Sequence, residues 1–163
     1  MRKFTVFVQA CAVLALFAVS AQAQPCPLTA ETHLFITSAP PDAEKDKNPI
    51  RVNSSGGPVR SYDVPCQAQQ LSFNFFAAHY AQDPGTAMLT ITVKDSGGKL
   101  IAQRDIPVNN QIRAWQDLRN VSVQQKYSDT ITLPKNATIG KVELSAVPGN
   151  WALVINGLTI NLK

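Results

Sequence analysis

The chain has 163 residues, 45% of them hydrophobic and 16% charged, with a formal net charge of +4. Two of the positive charges, Arg2 and Lys3, belong to the leader described below, and without them 13 basic residues face 11 acidic ones, a net +2. Arg51, Arg60, Arg104, Arg113 and Arg119 are scattered rather than clustered, so the basic patch of a nucleic-acid binder is missing and no nucleic-acid partner is expected.

Met1-Arg2-Lys3 gives a positive start, Phe4 to Val19 is a mostly apolar run, and Ser20-Ala21-Gln22-Ala23 offers small residues where a signal peptidase reads. This predicts a signal peptide over residues 1–23, cleaved after Ala23. The run is short and no basic stop follows it, so no membrane span is expected after cleavage. Residues 24–163 are then expected to form one exported domain, periplasmic or extracellular, large enough to bury a core. Cys26 and Cys66 remain in it. In an exported chain such a pair is most simply a disulfide. Redox or metal chemistry is the sharper alternative, but Cys-x-x-Cys spacing is absent and only His33 and His79 are at hand.

No segment of the mature region reads as a helix. Stretches rich in Val, Ile, Thr and Phe alternate with Gly, Pro, Asn and Asp clusters, the rhythm of an all-β domain. The predicted strands are His33–Thr37, Ile50–Val52, Val59–Val64, Gln70–Ala77, Ala87–Lys94, Leu100–Pro107, Gln111–Trp115, Val121–Gln125, Asp129–Leu133, Lys141–Val147 and a closing stretch. Turn chemistry marks Gln82–Thr86, Asp95–Gly98 and Pro148–Asn150, while Ala39–Ile50 reads as one long charged loop. In the closing stretch Trp151, Leu153 and Ile155 share one parity, and Leu158, Ile160 and Leu162 share the other. Asn156-Gly157 at the break fits either a two-residue hairpin turn or a bulge in a single strand.

Leu71-Ser-Phe-Asn-Phe-Phe-Ala77, the hairpin Ala87–Ala102 around Asp95-Ser-Gly-Gly98, the stretch Ile112–Val123 and the final Trp151–Ile160 come in an informative order. Together they resemble the galactose-binding-like jelly roll of many carbohydrate-binding modules in secreted glycoside hydrolases, over roughly Gln70 to Leu162. The resemblance implies an all-β fold, an antiparallel two-sheet jelly-roll β-sandwich, here with one disulfide. Its pattern carries the same parity shift within one closing strand and so favours the kinked strand. It also implies sugar binding without catalysis, on a sheet face or at the loops of one end. Modules of this kind frequently hold a structural calcium ion. Where the pattern often has two aspartates in the last strand, this chain has Asn156-Gly157. Hard cations favour charged oxygen ligands, so no metal and no cofactor is expected.

Catalytic motifs are thin: Gly-x-Ser-x-Gly, His-Glu-x-x-His and phosphate-cradling glycine loops are all absent. Asp63, Asp83, Asp95, Asp105, Asp117 and Asp129 fall mostly at turns and strand ends, where aspartate is ordinary. A sugar site needs flat rings for the apolar faces of pyranoses and a few polar groups for the hydroxyls. Tyr80, His79, Trp115, Arg113 and Tyr62 are the candidate ligand-binding residues. Tyr127 and Trp151 are further rings, with Asn74, Gln111 and Gln116 as polar helpers. Trp151 shares its parity with Leu153 and Ile155 and is expected in the core, whereas His79 and Tyr80 are expected on the rim. The expected function is an exported, non-catalytic module for carbohydrate or a surface polymer. The alternatives are a structural or protein-binding subunit of the cell envelope and, third, a small secreted hydrolase.

Overall fold

The computed structural model describes residues 26, 28, 32–38, 49–81 and 85–163. The expected signal peptide and most of the Ala39–Ile50 loop lie outside this set. Among the described residues no helix is long and apolar enough to cross a membrane. The strands are β1 (Thr32–Thr37), β2 (Ile50–Arg51), β3 (Gly57–Gln67), β4 (Gln70–Tyr80), β5 (Ala87–Lys94), β6 (Leu100–Val108), β7 (Gln111–Ile112), β8 (Gln125–Thr132), β9 (Thr138–Val147) and β10 (Ala152–Leu162).

They form two sheets. One runs β2-β1-β10-β4, with β7 and β8 both pairing the far side of β4; the other runs β3-β9-β5-β6. Apart from the short parallel pairs β1–β2 and β4–β7, all pairings are antiparallel. The chain passes between sheets at β2–β3, β3–β4, β4–β5, β6–β7, β8–β9 and β9–β10, and β5–β6 is a local hairpin within one sheet. That wrapping is the jelly-roll arrangement expected from the sequence, two mainly antiparallel sheets closed over a common core.

Period-two patterning explains the layers. On β4 the inward set Leu71, Phe73, Phe75 and Ala77 meets Leu89, Ile91 and Val93 of β5 and Ile139, Val142 and Leu144 of β9 in one buried cluster. β10 joins the same cluster with Leu153 and Ile155 before the parity break and Leu158, Ile160 and Leu162 after it. The kinked-strand expectation holds. The register against β4 shifts between Asn156 and Thr159, and Gly157 takes a φ of +59°, a left-handed conformation that suits a residue without Cβ. The bulge returns the second half of the strand to the core side. Cys26 and Cys66 are joined, with Cα atoms 5.3 Å apart, fastening the start of the described chain to the end of β3. Across the open edge, Arg104 of β6 and Asp129 of β8 pair at 3.2 Å.

The β5–β6 turn is built as its residues suggest. The Asp95 carboxylate accepts from the backbone of Gly97 at 2.9 Å and Lys99 at 2.8 Å, and Gly98 holds a φ of +84°. Gly140 of β9 lies against it: a Cβ there would stand 2.5 Å from the Ser96 backbone. Gly140→Ala is therefore expected to cost about 1–3 kcal/mol in a urea melt. An unchanged midpoint would mean the turn yields freely.

Two predicted strands are largely replaced by 3-10 turns. Of Gln111–Trp115 only Gln111–Ile112 pairs, and Trp115–Asp117 is a 3-10 turn. Val121–Val123, within predicted Val121–Gln125, is another 3-10 turn. The local reason is capping. The Asn120 side chain accepts from the Ser122 backbone at 3.1 Å, and Gln124 reaches back to the Leu118 carbonyl at 3.0 Å, so side chains satisfy the backbone in place of a ladder. The predicted Asp129–Leu133 strand starts earlier, at Gln125.

Candidate functional site

The outward face of the first sheet is divided in two. Strand pairing fixes its rows. Tyr80 lies opposite Ala152, Ala78 opposite Val154, and Phe76 between Asn156 and Lys126. Further along, Asn74 lies between Thr159 and Ser128, and Ser72 between Asn161 and Thr130. At the Tyr80 end the crossover from β6 to β8 folds back over the sheet. Phe35, Ala78, Ile112, Leu118, Ala152 and Val154 become a second buried cluster, with Tyr80 and Trp115 packed against it.

The rings there form a chain. Tyr80 and Trp115 meet edge to face at 4.9 Å, Trp115 and Phe35 at 5.9 Å, and Tyr80 and Trp151 at 6.4 Å. The Arg119 guanidinium sits 4.9 Å from the centre of the Phe35 ring, a cation–π contact. Phe35 is buried, while Tyr80, Trp115 and Trp151 are half-exposed. At the other end the face carries hydroxyls and amides: Ser72, Asn74, Ser128, Thr130, Thr159 and Asn161. A shallow depression of about 460 Å3 lies here, lined by Ser72, Phe73, Asn74, Lys126, Ser128, Asp129 and Thr130. Between the halves stands Phe76, 37% exposed. Beside it a hydrogen-bond relay runs from His33 Nδ1 to Asn156 Oδ1, from Asn156 Nδ2 to Gln124 Oε1 at 2.8 Å, and on to the Leu118 carbonyl.

Of the residues picked from the sequence, Tyr80 and Trp115 come together on this face, and Trp151 joins them at the strand end, half-exposed rather than in the core. Arg113 is exposed one residue past Ile112. Tyr62 is not brought near: it belongs to β3 in the other sheet, half-buried against the main core. His79 requires a correction. It has no exposed surface, because alternation on β4 puts it on the inward side while Tyr80 points out, so the expected rim position is not where it lies. Burial lowers its pKa below the ordinary histidine value. Tyr127 also faces inward, stacked on Phe75 at 5.3 Å.

Phe35, Phe76 and the β8 hydroxyls were not picked out from the sequence. Nothing in the sequence marks Phe35 beyond its place in a strand, and β8 begins four residues before the predicted Asp129. At the kink of β10 the residues do not suit a calcium ion. The Asn156 amide is already engaged on both sides and no carboxylate replaces the two aspartates of the pattern. Elsewhere, Asp105 accepts from Thr90 at 2.8 Å and Gln103 at 3.2 Å, and Lys94 pairs with Glu143 at 2.6 Å.

No protein-family model and no curated protein matches the chain. Among solved structures, an arabinose-bound α-L-arabinofuranosidase, MgGH51, is similar at 7% identity and a TM-score of 0.42, over 64% of this chain and 18% of that one. The sugar-binding EclA C-terminal domain is similar at 10% identity and a TM-score of 0.40, over 65% of this chain and 68% of that one. The galactotriose-bound TmCBM61 is similar at 16% identity and a TM-score of 0.36, over 63% and 61%. The chain thus spans less than a fifth of the arabinofuranosidase. All three likenesses are remote.

Proposed function

We propose that the chain is a non-catalytic binding module for carbohydrate or a similar hydroxyl-rich polymer, and that the outward face of the first sheet is where it binds. The observation that supports this most is the pairing, on one rigid face, of half-exposed Tyr80, Trp115 and Trp151 rings with an array of neutral hydroxyls and amides. Rings present apolar area to the C–H faces of sugars. Serine, threonine and asparagine both donate and accept, matching hydroxyls that do the same. Strand spacing holds the polar groups at fixed intervals, so little ordering is needed on binding. Lys126 and Asp129 are the charged groups of the depression and have opposite signs, which favours a neutral ligand.

The test is retention on a panel of neutral polysaccharides in affinity gels. At least one should retard the protein, and Tyr80→Ala or Trp151→Ala should weaken that retardation about 5- to 10-fold, the worth of one lost ring contact. No retardation across the panel, or retardation indifferent to these variants and to Asn74→Ala with Ser128→Ala, would overturn the reading. The envelope-protein alternative is favoured by a different feature, the exposed apolar side chains Phe76, Val121 and Val123. It predicts co-purification with an envelope protein that Val121→Ser with Val123→Ser abolishes.

A further inference from the structure

The imidazole of His79 is the polar group least accounted for by the fold. It has no exposed surface, and among the described residues neither ring nitrogen has a hydrogen-bond partner. Buried polar groups are nearly always paired, because an unpaired one forfeits its hydration. The described residues that face it carry no charge to hold a proton. Leu153 of β10 and Gln111 of β7 lie opposite it in the ladder. Above it is Gly149, where an ideal Cβ would stand 3.5 Å from Nδ1 and 3.7 Å from Ala87 of β5. None of these residues is titratable, and Asp83 lies outside the described residues. An imidazolium needs two acceptors, and among the described residues neither ring nitrogen meets one.

One wall beside Nδ1 is the Pro148-Gly149-Asn150 turn, where Gly149 has a φ of +71° and no side chain. That turn leads directly into Trp151. The Trp151 carbonyl accepts from Ser38 N at 3.1 Å and from Thr37 Oγ1 at 2.9 Å, and its ring contacts Tyr80, the residue after His79. Water reaching His79 through the turn must displace the backbone that anchors Trp151.

We propose that His79 is the trigger of an acid-sensitive latch: on taking up a proton it opens the Pro148-Gly149-Asn150 turn and releases Trp151 from its place at the end of the sheet. The sign follows from linkage. The folded-state pKa lies below the unfolded value of 6.5, so the unfolded or opened state binds the proton more readily. Stability is full above about pH 6.5 and is lost as the pH falls below it.

The test needs no ligand, so it stands or falls separately from the proposed binding function. Tm and tryptophan emission are followed from pH 8 to pH 4.5 in the wild-type protein, in His79→Met and in His33→Gln. A Trp115→Phe background isolates Trp151. The wild type and His33→Gln should lose about 3 °C more per pH unit below 6.5 than His79→Met, and the Trp151 emission should shift to the red before global melting. Equal slopes with and without His79, or an unmoved Trp151 signal, would overturn the latch. If His79→Met does not fold, His79→Gln replaces it, and the histidine C2–H resonances of the wild type give the pKa of His79 directly. A value at or above 6.5 would also overturn it.

Discussion

Replacing Cys26 and Cys66 together by serine is expected to lower stability by about 4 kcal/mol, the loop-closure entropy released when a loop of about 41 residues is no longer tied. For a domain near 140 residues this corresponds to a fall in Tm on the order of 8–16 °C. The bridge fastens the start of the described chain to the end of β3 at the margin of the second sheet, and Cys66 is itself part of the main core. The double serine variant therefore adds a buried hydroxyl to the lost constraint, whereas Cys26→Ala with Cys66→Ala separates the two. Thermal melts of the alanine pair and of the reduced wild type should agree with one another. A loss below about 1 kcal/mol would show that the N-terminal segment is held by its other contacts.

The second large effect is expected at Phe75. It is 1% exposed on the central strand of the first sheet, with Phe73 at 6.0 Å and Tyr127 at 5.3 Å, both stacked. Phe75→Ala should cost about 3–5 kcal/mol, because the aromatic stack leaves no side chain free to fill the gap. The adjacent Phe76 points outward, and Phe76→Ala should cost about 1 kcal/mol or less. Chemical denaturation of the two variants reads the sidedness of β4 directly. Equal losses would contradict the assignment of inner and outer faces.

That sidedness was readable from residue order. Leu71, Phe73 and Phe75 alternate with Ser72 and Asn74, and the parity break at Asn156-Gly157 announced a bulge, because in a buried strand any single-residue shift must be corrected for the core to stay apolar. The Cys26–Cys66 pair was legible from count and compartment alone. Less legible was the stretch 113–124. Its Val121-Ser-Val123 alternation imitates a strand, yet its polar side chains cap their own backbone, and it rides as a lid over a second apolar cluster. Nothing local in the sequence says that a sheet has apolar residues on both faces at one end. Ala78, Ala152 and Val154 supply that, and they are small enough to pass for strand filler. His79 was misplaced for a related reason. A histidine beside a tyrosine invites a shared surface role, but alternation puts neighbours on opposite faces, and only one of the two can look outward.

The proposed binding face brings together Tyr80, Trp115 and Trp151, all three named from the sequence, while Tyr62 lies in the other sheet and His79 is buried. The most direct measurement is an NMR titration of the 15N-labelled protein with an oligosaccharide of whichever neutral polysaccharide retards it. The expected result is saturable shifts at Ser72, Asn74, Tyr80, Ser128, Thr130 and the Trp151 indole, with the opposite face at Thr90, Thr92 and Glu143 unmoved. Shifts confined to that opposite face, or none at any oligosaccharide concentration, would contradict binding on the first sheet.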